Sequence, residues 1–280
     1  MKNYKSVDKL GVLILIFFAN HSLLKADPSL PKITPTKDQQ TVIFSNNAVP
    51  CDQASIKLDL YIQNGDGTPN PNFGKPQARF LQKHQEFLER DKLGPIGVLF
   101  LGDSITEGWC KWGNKYWGEY LQKYNAADFG IGGDNTQNLL WRIENGELDH
   151  ISPKLVILMI GTNDLGHPAD QVLKGDLKVI EMIRKKLPNA KLLLLGILPN
   201  GNNPAAPRTI TNRERIKVVN QALASLDDGD KIRYLDIGNR FLQPDGSIPT
   251  DLMPDGLHPN EKGYQIWAEA MQPLLNEMLH

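Results

Sequence analysis

The chain has 280 residues, 40% of them hydrophobic and 22% charged, with 31 basic against 32 acidic side chains. This balance excludes a disordered tail or a collagenous fibre and fits a globular chain long enough to bury its own core. Two cysteines are too few for a disulfide-stapled mini-fold or a four-cysteine zinc site, and a formal charge of −1 argues against a dedicated nucleic-acid binder.

Lys2, Lys5 and Lys9 precede the apolar run Leu10 to Ala19, and Ala26 offers a small residue for cleavage. This is the plan of a secretory signal over residues 1–26, with an apolar stretch of about ten residues, too short to span a bilayer comfortably. The alternative use of the segment is an uncleaved N-terminal anchor. Cleavage takes away four lysines and one aspartate, so the charge of −1 becomes −4. No integral membrane segment is then expected. Residues 27–75 are rich in Pro, Asn, Asp, Thr and Gly and read as an extended arm, with short strands expected at Thr41 to Phe44 and Ile56 to Ile62. Cys51 lies in the arm and Cys110 beyond it. An oxidising compartment permits them to pair, and two separate buried thiols are the alternative.

From residue 76 the pattern becomes regular. Phe80, Leu81, His84, Phe87 and Leu88 repeat at helical spacing up to Gly94 and Pro95. Continuous apolar runs follow at Ile96 to Leu101, Leu155 to Ile160, Lys191 to Ile197 and Ile232 to Ile237, with a weaker one at Ala126 to Phe129. Such runs are how strands covered on both faces read. Amphipathic helices separate them at Asn135 to Asn145, Ala169 to Leu187, Thr211 to Leu226 and Glu261 to the C-terminus. The expected fold is α/β: a three-layer sandwich around a doubly wound, flavodoxin-like parallel sheet of about five strands, over 76–280.

In such a sheet the ligand sits beyond the carboxyl ends of the strands. Four polar or glycine-rich segments fall there: Gly102-Asp103-Ser104, Gly130 to Asp134, Gly161 to Asp164 and Leu198 to Asn200. Ser104 alone is as easily a helix cap. Near the other end of the chain, Asp255 and His258 stand three residues apart, close enough to meet across one turn. A carboxylate that accepts one imidazole proton leaves the other ring nitrogen free to take the proton of Ser104 as it attacks. The oxyanion so formed needs fixed donors, and the Gly133 N–H and the Asn163 side-chain amide stand at the same edge. Each has a plainer reading as a turn residue.

Together the blocks GDSIT (102–106), FGIGGD (129–134), GTND (161–164) and DGLHP (255–259) resemble those of the SGNH hydrolases, the GDSL-type esterase and lipase superfamily. Within it the longer run FGIGGDNTQNLLWRIENGEL is similar to the platelet-activating factor acetylhydrolase catalytic subunits and their bacterial relatives. The resemblance implies an SGNH fold and a serine ester hydrolase without cofactor or metal. By it Ser104 is the nucleophile, Asp255 and His258 the acid/base pair, and Ser104, Gly133 and Asn163 the oxyanion hole. It also puts Ile105, Thr162 and Leu257 around a small acyl group. GDSIT in place of GDSL leaves the nucleophile unaffected, whereas the secretory segment and arm put the substrate in doubt.

Trp109, Trp112 and Trp117 cluster after Ser104. Trp117 shares helical spacing with Tyr120, Leu121 and Tyr124 and reads as packing, while Trp109 and Trp112 are candidates for a substrate wall. Arg142 and Glu144 read as holding their helix, and His150 and His167 as surface or structural residues. Two other classes compete with this reading. Asp103, Asp134, Asp164, Asp255 and His258 could converge on a metal, as in a metal-dependent phosphoesterase, and the chain could be a non-catalytic carbohydrate-binding surface protein. The triad with oxyanion donors accounts for more residues than either. The expectation is a secreted or periplasmic hydrolase of a small acyl ester, most simply acetyl, on a carbohydrate or lipid.

Overall fold

In the computed structural model, which describes residues 50–59 and 74–280, five strands lie in the order β2-β1-β3-β4-β5, every neighbouring pair parallel. They are β1 Val98–Gly102, β2 Ala126–Gly130, β3 Leu155–Met159, β4 Lys191–Leu195 and β5 Ile232–Leu235. Every residue of β1 and β3 is buried, as their unbroken apolar runs require. The edge strand β5 is half-buried throughout.

Among the described residues seven helices accompany the sheet: α1 Ala78–Arg90, α2 Ser104–Glu107, α3 Asn114–Tyr116, α4 Thr136–Glu144, α5 Ala169–Lys186, α6 Pro207–Ala224 and α7 Glu261–Leu279. Because successive strand side chains point to opposite faces, each strand feeds two cores. Leu99, Leu101, Val156, Leu158, Leu192 and Leu194 pack with Phe80, Ile143, Val179 and Val219 from α1, α4, α5 and α6. Val98, Phe100, Leu155, Ile157, Leu193 and Leu195 pack on the other side with Trp109, Leu121, Tyr264, Trp267 and Leu275. The result is the expected three-layer α/β sandwich.

Local chemistry sets the element ends. Asn135 caps α4 through the Asn138 N–H, and the Asn138 side chain returns a bond to the Asn135 N–H. Helix α6 starts at Pro207, four residues before the apolar spacing indicates, because proline at the first helical position already holds a helical φ. The spacing of Trp117 to Tyr124 does not make a regular helix. The chain runs there as a π turn, Trp117–Leu121, and a 3₁₀ turn, Gln122–Tyr124, stopped by Asn125 at φ 49°.

The segment 50–59 of the arm is laced onto the start of α4. Thr136 Oγ1 donates to the Cys51 carbonyl at 2.9 Å, the Ser55 N–H to the Gln137 carbonyl at 2.9 Å, and Asn138 Nδ2 to the Ser55 carbonyl at 2.9 Å. Of the expected strand at Ile56 to Ile62, the described part makes one antiparallel bridge, Leu58 to Pro76. The signal segment 1–26 and the expected strand Thr41 to Phe44 lie outside the described residues. Cys51 and Cys110 are both free thiols, the first buried and the second exposed beside Asp128. Among the described residues no helix is long and apolar enough to cross a membrane.

Candidate active site

Strand β1 delivers Asp103 and Ser104 to the carboxyl edge. Asp103 caps α2, its Oδ1 accepting the Ile105 N–H at 2.8 Å. Burial pushes this carboxyl up to about 7, helped by the charges of Asp134 and Asp164 and opposed by the Ile105 N–H and Lys57. Ser104 opens the helix, and its Oγ lies 2.9 Å from His258 Nε2. His258 Nδ1 lies 2.6 Å from Asp255 Oδ2, while Asp255 Oδ1 accepts the N–H groups of Leu257 at 3.0 Å and His258 at 2.8 Å.

For Asp255, partial burial works to raise the carboxyl, but the His258 N–H, the imidazole and the Leu257 N–H outweigh it and hold the group below the usual carboxylate range. An ionised carboxylate only accepts, so the imidazole proton sits on Nδ1 and Nε2 faces Ser104 as an acceptor.

The loop after β2 brings Gly133 in at φ +74°, a left-handed conformation that glycine adopts freely. The loop borders the nucleophile: a Cβ built on Gly132 would lie 3.8 Å from Ser104 Cβ. Its backbone is held on several sides. The Gly132 N–H donates to Glu107 Oε2 at 2.8 Å, and Glu107 pairs with Arg79. Lys57 Nζ lies 2.7 Å from the Gly132 carbonyl and 3.2 Å from Asp134 Oδ1. Asp134 Oδ2 accepts from Arg142 Nε at 3.0 Å, both side chains being fully buried. Asn163, exposed on the 3₁₀ turn Thr162–Asp164, donates through Nδ2 to the Asp134 carbonyl at 2.7 Å. An amide nitrogen carries two hydrogens, so this bond fixes the plane of the group and leaves a second N–H.

A cavity of about 260 Å³ opens at Ser104 and His258, lined by Arg79, Glu107, Gly108, Cys110, Lys111 and Trp112. The Trp112 ring is 40% exposed, its centroid 6.3 Å from that of His258, with Lys111 Nζ 4.4 Å above it. A roomier cavity of about 440 Å³ lies between α6 and the end of β5, and no triad residue lines it.

Trp109, expected at the substrate, lines neither opening and has to be reassigned. It is fully buried, with ring centroids 4.8 Å from Tyr264 and 5.0 Å from Trp267, so α7 has taken it into the core. Ile105 is likewise 2% exposed within the second core, while Thr162 and Leu257 are half-buried and also stand outside the cavity lining. Arg142 does hold its helix, whereas Glu144 and His150 are exposed. Lys57, Arg79, Glu107 and Lys111 were missed. Glu107 stands one turn after Ser104, which is a signal of sorts, whereas Lys57 falls within the alternating stretch Ile56 to Ile62, a pattern that marks a strand and not a site.

The carboxylates weighed as a metal set are engaged separately: Asp103 in a cap, Asp134 with two cations, Asp164 with the Thr136 N–H at 2.9 Å, and Asp255 with His258. Among the described residues the grouping at metal-ligand proximity is Cys51, Asp164 and His167, which shares only Asp164 with that set.

A parallel α/β sandwich with a Ser-His-Asp chain at its strand ends defines the class as a serine hydrolase. The profile of the GDSL-like lipase/acylhydrolase family matches residues 100–266. The chain is 36% identical over 204 residues to human platelet-activating factor acetylhydrolase IB subunit alpha1, covering 72% of this chain and 85% of that one. It is 34% identical over 202 residues to the rat alpha2 subunit, covering 72% and 85%. A GDSL-like lipase from Bacteroides thetaiotaomicron shares the fold with a TM-score of 0.58 at 20% identity, over 69% of this chain and 97% of that chain. The protein therefore belongs to the GDSL-like lipase/acylhydrolase, or SGNH, family.

Proposed function

We propose that the protein is an exported serine esterase that removes a small acyl group, acetyl in the simplest case, from a carbohydrate or lipid ester. The observation that carries the chemistry is the hydrogen-bonded chain from Ser104 Oγ through His258 to Asp255. Ser104 Oγ forms a bond to the acyl carbon as its proton passes to His258 Nε2, and the carbonyl π pair becomes an oxyanion. That charge is received by the N–H groups of Ser104 and Gly133 and the second N–H of Asn163. Collapse breaks the bond to the alcohol oxygen, which leaves with the proton from His258. Water then repeats the sequence, releasing the carboxylic acid and restoring Ser104.

The cavity mouth favours a polar leaving group. Arg79, Lys111 and the exposed face of Trp112 suit a hydroxylated ring, since an aromatic face stacks on a sugar while cations reach its oxygens. Export rests on the basic, apolar and small-residue succession of residues 1–26.

The test is acetate release from acetylated xylan, pectin, sialate and short-chain lipid esters in parallel, with the Ser104→Ala variant as control. Ser104→Ala should lose about 10³-fold or more in kcat. Equal turnover in that variant, or activity lost to EDTA and regained with a divalent ion, would sink the serine mechanism.

A further inference from the structure

Lys57 comes from a segment outside the recognisable motifs, yet its Nζ reaches the peptide group that carries one of the three oxyanion donors. We propose that Lys57 is a positioning residue for ester hydrolysis, holding the Gly132–Gly133 peptide so that its N–H faces the reacting carbonyl. The proposal rests on the serine-esterase reading above.

The reason is geometric. The Gly132 carbonyl and the Gly133 N–H belong to one planar trans peptide, in which the two groups point in opposite directions. Fixing one therefore fixes the other. Lys57 Nζ donates to that carbonyl at 2.7 Å and to Asp134 Oδ1 at 3.2 Å, and a Cβ on Gly133 would sit 3.1 Å from the ammonium. Two consecutive glycines have no side chains to resist rotation of the peptide between them. Without the bond from Lys57 the peptide can turn and present a carbonyl oxygen where the oxyanion forms, so a donor is replaced by a repulsion. A cation on the carbonyl also polarises the amide and strengthens its N–H as a donor.

The ammonium is held in place for this. Lys57 is 8% exposed. The Gln77 N–H donates to the Lys57 carbonyl at 2.9 Å, and two residues before Lys57 the Ser55 N–H is fixed to the Gln137 carbonyl. Burial holds the Lys57 pKa below its ordinary value, and the Asp134 carboxylate opposes that shift. Glu107 holds the Gly132 N–H, Asn163 the Asp134 carbonyl and Arg142 the Asp134 carboxylate, and Lys57 adds the restraint on the Gly132 carbonyl itself. The arm is thereby a working part of the site.

The experiment compares the wild type with Lys57→Met on p-nitrophenyl acetate, following kcat, KM and the melting temperature. A fall of about 10- to 100-fold in kcat is expected, with KM within about twofold, since the donor acts in the transition state. In Lys57→Ala, added ethylammonium should restore kcat with concentration, while tetraethylammonium at the same ionic strength should not, because it has no N–H. A merely structural loss would show neither the split nor the dependence on N–H. Lys57→Leu, which likewise lacks a donor, takes the place of Lys57→Met if that variant does not fold, with the same outcomes. A kcat within threefold of wild type, or a loss matched by the fraction unfolded and untouched by ethylammonium, overturns the proposal. If the wild type is inactive, or Ser104→Ala is as active as the wild type, it is the esterase reading that fails.

Discussion

Arg142 donates through Nη1 to both carboxylate oxygens of Glu147, at 2.6 and 2.7 Å, with both side chains shut off from water. The same guanidinium reaches Asp134 and the carbonyls of Phe129 and Gly102. One planar group thus ties the ends of β1 and β2 to the loop that carries Gly133.

Removing it should be costly because buried Glu147 loses its guanidinium partner and buried Asp134 one of its two cations. Arg142→Met is expected to lower the unfolding free energy by about 3–5 kcal/mol in urea titration. Arg142→Lys should recover only part of this, since a point charge cannot span the same set of acceptors. In the double variant with Glu147→Gln the losses should fall short of their sum, as they share one network.

Asp103 gives a pH dependence of defined sign. Its carboxyl, at about 7 in the fold, binds a proton that the unfolded chain has already released above its ordinary carboxylate pKa of about 3.9. The stability it contributes is therefore complete below about pH 4 and is lost as pH rises through about 7, with a slope of up to about 1.4 kcal/mol per pH unit. Asp103→Asn keeps an acceptor for the Ile105 N–H and removes the titration. Its unfolding free energy should fall less than that of the wild type between pH 5 and 8; parallel curves would place the titration elsewhere.

Asp255→Asn should leave the turn at 255–258 folded, because the amide oxygen still accepts the Leu257 and His258 N–H groups. It should cost roughly 10³- to 10⁴-fold in kcat, since the neutral amide no longer fixes the imidazole proton on Nδ1. The measurement is kcat against pH together with KM, which should change little.

The two tryptophans separate stability from substrate. Trp109→Ala empties a fully buried site and is expected to destabilise by about 3–5 kcal/mol. Trp112→Ala should change stability by less than about 1 kcal/mol and raise KM for a glycan ester more than for p-nitrophenyl acetate. A Trp112→Ala variant with unaltered KM for every glycan ester tried would remove the stacking wall from the proposed site.

What could be read from the chain follows from how local each cause is. The strands were legible because a strand covered on both faces needs an unbroken apolar run, as Leu155 to Met159 has. Ser104, Gly133, Asn163 and His258 were legible as candidates because each stands at a strand end or a turn. Trp109 was not, because its partners Tyr264 and Trp267 lie more than 150 residues further on. Lys57 was not, because the alternation of Ile56 to Ile62 marks only a strand and its acceptors are 75 and 77 residues away. The cysteines left two readings open, and the fold places each against a carboxylate: Asp128 stands beside Cys110, and burial with Asp164 pushes the Cys51 thiol up to about 12.

Asp255 and His258 sit on a single turn, bound to each other through both backbone and side chain. The acid and the base therefore travel as one piece, and assembling the triad reduces to docking that piece against Ser104. Slow excursions of the 255–258 turn would switch turnover off and on without disturbing the imidazole's tautomer, so inactive molecules need only a rigid-body return, not a chemical reset, to become competent again.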